Sequence, residues 1–224
     1  MFPSHDPIDS AVYDGTDIEQ SEFYFLVNDD GTLAIFQGER QADIEGWSYA
    51  TTGNTTGDKF FRITSAGNKV FFIVKRLIEN QPRYMLEQLE WNRVLDASYS
   101  FTFPTPQSVI TGLGDLEGRT VSVVGDGYVL KDEVVSAGQI TLSAESKEIE
   151  VGIKYTCEVQ TLPVVSGESM YLPKRIPRVF IDYINSLGII VNGTLIPYLT
   201  FGDDTLLYPT PVQTEIFEHL QIRS

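Results

Sequence analysis

Between Glu148 and Val159 the chain alternates with a period of two. Ile149, Val151, Ile153, Tyr155, Cys157 and Val159 occupy one parity, and Glu148, Glu150, Gly152, Lys154, Thr156 and Glu158 the other. Successive side chains of an extended backbone point to opposite faces, so this pattern has one apolar side and one wet side only as a β-strand. It persists over about a dozen positions, against the usual 4–8. A strand of that kind needs a sheet, and the sheet needs a buried face to hold its register. Upstream, residues 119–124 read as a strand. Gly125-Asp126-Gly127 supplies the positive-φ positions of a hairpin turn, and Val134-Val135, Ala137-Gly138 and residues 139–142 repeat the scheme. Residues 110–163 therefore read as a compact antiparallel β-unit. Cys157 lies on the apolar parity, which predicts a buried, inert thiol.

The earlier chain punctuates in the same way. Residues 22–28 (EFYFLVN) and 32–37 (TLAIFQ) flank Asp29-Asp30-Gly31, a hairpin with glycine at the left-handed position. Two acids before a glycine also suggest a calcium loop, but the spaced carboxylates and later glutamate of such a loop are absent. Strands follow at 46–52, 58–65 and 69–76; the last, KVFFIVKR, is apolar enough to predict burial on both faces. Residues 83–90 alternate as a strand, with a helix over 83–95 as the competing reading. The expected organisation is an irregular acidic arm at 1–20, a β-sheet domain at 21–96, a linker at 97–108 carrying Pro104 and Pro106, and a second β-domain at 109–224. In the last, 164–171 reads as a loop. Residues 179–184 and 189–191 are expected to form a hairpin around 185–188, although a helix over 178–187 competes. Asn192-Gly193 is a further turn, 195–201 a strand, and 212–220 ends the chain, with a short helix as one reading. The fold class expected is all-β and antiparallel: a propeller-blade-like or sandwich N-terminal half, then a β-sandwich or platform.

Charge and reactive groups narrow the function. The net charge is −15, and residues 1–60 carry twelve acids against two bases. Binding nucleic acid through its phosphates needs a basic face of useful size, which this chain lacks. The basic residues Lys174, Arg175 and Arg178 form one local knot; they read either as an inter-subunit contact to an acidic neighbour or as plain surface. One cysteine excludes an internal disulfide, and with His5 and His219 at opposite ends it makes no closed tetrahedral metal set. GxSxG and P-loop patterns are absent, and Gly112-Leu113-Gly114 lacks the third glycine of a dinucleotide fingerprint. No catalytic residue, cofactor site or metal site is expected. A carboxylate pair for glycoside hydrolysis stays open, since any of 31 acids could meet across a β-scaffold. Trp47, Tyr49, Trp91 and Tyr99 are candidates for stacking on sugars, with core filling as the more economical reading. The N-terminus has neither the basic region nor the apolar core of a signal peptide, and no apolar run reaches membrane-spanning length.

The order of residues in 110–163 resembles a family. Gly112-Leu113, Leu116-Glu117-Gly118, Thr120-Val121, Asp126-Gly127, Gly138, Ile140-Thr141-Leu142, Val151-Gly152-Ile153, Tyr155 and Thr161-Leu162-Pro163 are similar to the block that marks the tail nozzle proteins of short-tailed bacteriophages, also called tail tubular protein B or tail stabilisation protein. Before it, Asp30-Gly31, Trp47-Ser48, Phe72 with Val74 and Arg76, and Arg83-Tyr84 with Glu87 and Leu89 match the order that ends the family's propeller-like domain. The resemblance implies a structural virion protein, not an enzyme. It would be a subunit of a hexameric ring that forms the DNA-conducting tail tube, contacting an adapter ring above and fibres or spikes at the side. It would be assembled in the host cytoplasm, with DNA passing along an acidic wall without specific binding. Family members carry several hundred residues before the matched region and further strands after it, so the chain reads either as a short relative or as a piece of a longer protein. The competing function is a β-sandwich binding module that recognises glycans or another virion protein.

Overall fold

Alternating apolar residues in the first ninety positions pair into two antiparallel sheets that share one core. The computed structural model describes residues 5–13, 22–39 and 44–159, together with strands at 178–181, 189–191, 194–196 and 220–223. Strands β1 (Pro7–Tyr13), β2 (Glu22–Asn28), β3 (Leu33–Glu39) and β4 (Ile44–Ala50) form an up-and-down meander. Strands β5 (Lys59–Ala66), β6 (Lys69–Ile78) and β7 (Gln81–Gln88) form a second. Phe25, Val27 and Leu33 of the first sheet pack with Ile63, Val70, Phe72 and Val74 of the second, closing a sandwich. The Asp9 carboxylate accepts the Ile63 N–H at 3.0 Å, and the Gly31 carbonyl accepts the Phe60 N–H at 3.0 Å, tying the layers at their rim.

The arm expected at 1–20 is corrected in part. Residues 7–13 are β1, because Ala11 and Tyr13 turn inward onto the shared core while Val12 faces out. Strand β6 is not buried on both faces either. Its even positions are covered, whereas Ile73 on the outer parity is 37% exposed. Residues 81–88 are the strand β7, so the helical alternative falls.

A second core lies between strand β8 (Asp96–Thr111), a 3-10 turn (Gly114–Leu116), β9 (Thr120–Gly125), β10 (Tyr128–Val129), β11 (Glu133–Val134) and β12 (Gln139–Ile153). The sheet order is β10-β9-β12-β8, with β11 pairing β9. Both long strands change face midway. Ala97, Tyr99, Phe101 and Phe103 point into the core from odd positions of β8, but Ile110 does so from an even one. In β12 the inward set passes from Ile140 and Leu142 to Ile149, Val151 and Ile153. The β8–β12 register is irregular between Thr141 and Glu148, so the ribbon turns a corner there and both its ends cover one core. Where β12 turns, buried Ser146 sits against Gly125, a position with no room for a side chain.

The linker expected at 97–108 is therefore corrected: it is the body of β8. Pro104 and Pro106 are tolerated because β8 is the last strand of its sheet, and an edge strand presents half its N–H groups to no partner. The long alternation is likewise shortened at one end and extended at the other. β12 begins at Gln139 and stops at Ile153, where its last pairing is with Asp96. Residues 154–159 are exposed, Cys157 among them, so the thiol expected to be buried is at the surface.

The chain divides into two compact units, Met1–Tyr155 and Thr156–Ser224, rather than within 97–108. In the second unit β13 (Arg178–Ile181) pairs with β16 (Leu220–Arg223), and β14 (Ile189–Val191) with β15 (Thr194–Ile196). The expected pairing of 179–184 with 189–191 is not found among the described residues, where 179–181 pair with 220–222 and 189–191 with 194–196. The helical readings of 178–187 and 212–220 do not hold for the described strands at 178–181 and 220–223.

Candidate functional site: a buried ionic clamp

Arg76 sits on an inward position of β6, 3% exposed, where an unpaired guanidinium would be prohibitively costly. Three carboxylates surround it. Its Nε and Nη2 donate to the two oxygens of Glu87 at 2.8 and 2.6 Å. Its Nη1 and Nη2 donate to the two oxygens of Asp96 at 2.7 and 2.8 Å, and Nη1 also donates to Asp58 at 3.1 Å. All five N–H donors are thereby used, two carboxylates being gripped in the bidentate manner that suits arginine. Asp58, just before β5, is fully buried and is gripped bidentately by a second arginine, Arg119, at 2.6 Å to each oxygen. Arg119 also donates through Nε to the Leu77 carbonyl at 3.1 Å.

The cluster joins the two cores. Asp58, Arg76 and Glu87 belong to the β5–β7 layer; Asp96 opens β8 and Arg119 immediately precedes β9. Backbone amides complete it: Leu77 N–H on Asp58 at 2.9 Å, Gly53 N–H on Asp96 at 2.7 Å and Ala97 N–H on Asp96 at 2.9 Å. Among the described residues no buried side-chain polar atom lacks a partner. Burial alone would raise the Asp58 carboxyl, but hydrogen bonds from Arg119 and the Leu77 amide, with the Arg119 charge and Arg76, hold it below the ordinary range. Burial works to lower Arg76, and Asp96 and Glu87 outweigh it, so the guanidinium is more firmly protonated than usual. A general acid needs a carboxyl kept neutral, the opposite environment. The cluster is built to hold.

Comparison with models of known protein families gives no match, and no curated protein matches the chain. Among the described residues the geometry offers three further constellations. Ser122 Oγ donates to Asp132 at 2.7 Å, and Lys154 Nζ donates to the other oxygen at 3.0 Å. Burial pushes Asp132 up, but Ser122 and Lys154 bring it below the ordinary range, which makes it a poor base for activating the serine. His5 lies between the β2–β3 turn acids, Nδ1 3.4 Å from Asp29 and Nε2 3.1 Å from Asp30. One ligand atom from each of the three comes within 4.8 Å of the others. Each ring nitrogen faces a different carboxylate, so the two acids sit on opposite edges of the ring rather than beside one nitrogen. The third is a cleft of about 360 Å³ lined by Tyr13, Lys69, Val70, Gln88, Leu89 and Trp91 among others. Its polar rim is paired within itself: Lys69 Nζ donates to Gln88 at 3.2 Å, and Gln88 donates to Glu90.

The four aromatic candidates do not assemble into one platform. Trp47 and Tyr49 are 52% and 41% exposed on the outer face of β4, so the core-filling reading fails for them. Trp91, 57% exposed, lies against Tyr13 and Phe23 at the rim of the sandwich core. Tyr99 packs on the second core, its hydroxyl donating to Asp115 at 2.9 Å; burial and that carboxylate push it up to about 12. Lys174 and Arg175 lie outside the described residues, and Arg178 is placed only by its backbone, as the first residue of β13 opposite Arg223.

The motif residues of 110–155 take structural positions. Leu113 and Leu116 are buried, and the Glu117 carboxylate accepts the Ala137 and Gly138 N–H groups at 2.8 and 2.7 Å. Asp126 and Gly127 make the positive-φ turn between β9 and β10. The Asp126 carboxylate accepts the N–H groups of Lys147 and Glu148 at 3.1 and 2.9 Å. Thr161-Leu162-Pro163 lies outside the described residues. Sequence reasoning singled out Arg76 and Glu87 by motif but not Asp58 or Asp96, which stand 18 and 20 residues from Arg76. The only local signal was an acid just before an apolar strand, which is too common to select them.

Proposed function

We propose that this chain is a structural component of a virion, a subunit of the DNA-conducting tail tube of a short-tailed phage. The observation that carries the reading is the clamp, in which a buried arginine spends every donor on carboxylates and two β-cores are tied together through Arg76 on Asp96 and Arg119 on Asp58. A tube wall needs stiffness between its layers more than it needs a reactive group, and an ion pair satisfied on all sides supplies geometry rather than chemistry. The motif residues that resemble the nozzle family lend support, because Glu117, Asp126 and Gly138 serve turns and register rather than a pocket. The net charge of −15 suits a wall along which DNA slides without sticking. Six copies, an adapter ring above and fibres or spikes beside belong to the same reading, as does assembly in the host cytoplasm. Among the described residues no helix is long and apolar enough to cross a membrane.

Mass spectrometry of purified phage particles from the source culture tests the reading: the chain is expected at several copies per particle, and its absence from particles overturns it. Exposed Trp47 and Tyr49 favour a second reading, a glycan-binding module. Against it, Phe36 is tilted 58° to Tyr24 and 52° to Trp47, so these rings form no flat platform for a sugar chain. A glycan array on the intact chain decides between the two.

A further inference from the structure

The sandwich made by β1–β4 and β5–β7 has two outer faces of opposite character. On the first, Val12, Tyr24, Phe36 and Trp47 are successive cross-strand partners, so one row of apolar side chains runs across all four strands. Val12 is 46%, Tyr24 39% and Trp47 52% exposed. The charged side chains described on this face are Glu22 and Glu45, which share parity with Tyr24 and Trp47. On the second face Ile73 pairs with Leu86 and Lys75 with Tyr84. Leu86 is 74% and Tyr84 58% exposed, with Phe61 in contact with Tyr84. The charges at the outward positions of its strands are positive: Lys75 stands opposite Lys59, whose stem lies over Gly31 near Asp30, and Arg62 stacks over Phe61 at 4.4 Å; an acid, Glu90, follows beyond β7 and accepts from Gln88. Exposed apolar area of this extent marks a contact surface more often than chance does.

We propose that the β1–β4 outer face of one copy docks on the β5–β7 outer face of a second copy. The occupant follows from complementarity. An aromatic row flanked by acids matches an apolar patch flanked by bases, while either face against itself sets like charges together. The two faces lie on opposite sides of one sandwich, so the contact is heterologous and adds copies head to tail. The pairing also sets bases against acids between copies that, at a net charge of −15, otherwise repel one another. This deepens the tube-wall reading and rests on it only for the closing of the stack. With four and three strands about 4.8 Å apart and about 23 Å or more long, both faces are at the small end for a specific interface, so association at micromolar concentrations is expected.

Sedimentation velocity of the full chain over roughly 5–500 µM tests it, with mixing of two variants blocked on different faces. Wild type is expected to grow in mass with concentration and to lose much of that growth in about 0.5 M salt, where surface charges are screened. Trp47→Lys and Leu86→Glu, both at exposed positions, are each expected to stay monomeric alone and to form a one-to-one dimer when mixed, because each keeps the face the other has lost. Should either fold poorly, Glu45→Lys and Lys75→Glu serve as a second pair, each weakening association alone and restoring it in the mixture. A monomeric wild type at every concentration overturns the proposal. So does either variant associating alone as the wild type does, or a glycan that binds wild type and not Trp47→Lys while the chain stays monomeric. A monomer that is nonetheless found in particles sinks this contact and leaves the tube reading standing; a stacking chain absent from particles does the reverse.

Discussion

Burying an arginine is tolerable only when each N–H has an acceptor, and Arg76 meets that condition with three carboxylates. Asp58 is the residue on which the cluster turns, because both guanidiniums reach it and its side chain is fully buried. Asp58→Ala leaves two cations short of a partner, and the expected loss is about 3–5 kcal/mol, read as a lower urea midpoint of the intact chain. The pH dependence has a definite sign. A carboxyl held below its ordinary 3.8 in the fold contributes stability that is fully present above that value. That contribution drains away as pH falls below 3.8 and through the folded value, so urea midpoints should drop from there downward, and by less in Asp58→Ala. A second residue carries local strain. Ala137 has φ of 54° beside Gly138 at 69°, in a two-residue turn between Ser136 and Gln139. Ala137→Asn gives that turn its preferred Asn-Gly pair and is expected to raise stability by about 1 kcal/mol in the same assay.

At the scale of the element, β8 and β12 are each far longer than one layer of the core requires, and their shared corner is what makes them useful. The chain of contacts depends on one close approach. A Cβ on Gly152 would stand 2.8 Å from the Asp96 carbonyl oxygen and 3.0 Å from the Ser98 Cα, both backbone atoms that cannot step aside. Gly152→Ala is therefore expected to cost about 1–3 kcal/mol, with the near-ultraviolet signal of Tyr99 altered as β8 lifts from β12. The turns of these elements were legible beforehand: Asp29-Asp30-Gly31 and Gly125-Asp126-Gly127 stand where their composition demands, since positive φ at Gly31 and Gly127 is a local property. The linker reading of 97–108 erred for a nonlocal reason. Pro104 and Pro106 forbid a central strand and permit an edge, and which of these β8 would be depends on the strand order of the finished sheet.

For the whole molecule, the clamp is the polar tie between the two cores. Arg119 supplies the bidentate tie from the β9 side to Asp58, so the two cores of Met1–Tyr155 are expected to unfold in urea in one transition in wild type and in two in Arg119→Ala. A single, merely shifted transition followed by tryptophan fluorescence and far-ultraviolet dichroism together would show that apolar packing alone couples the cores. The acidic chain, the β class and most strand positions were settled by composition and by the period of two, because alternation and turn chemistry act between neighbours in sequence. The corner in the β8–β12 ribbon, the end of β12 at Ile153 and the surface position of Cys157 were not, since each depends on where a partner strand begins or stops. The clamp was least legible of all: Asp58 and Arg119 lie 61 residues apart, and only the packing of two cores brings them within 2.6 Å, where burial turns an ordinary pair of charges into a tie.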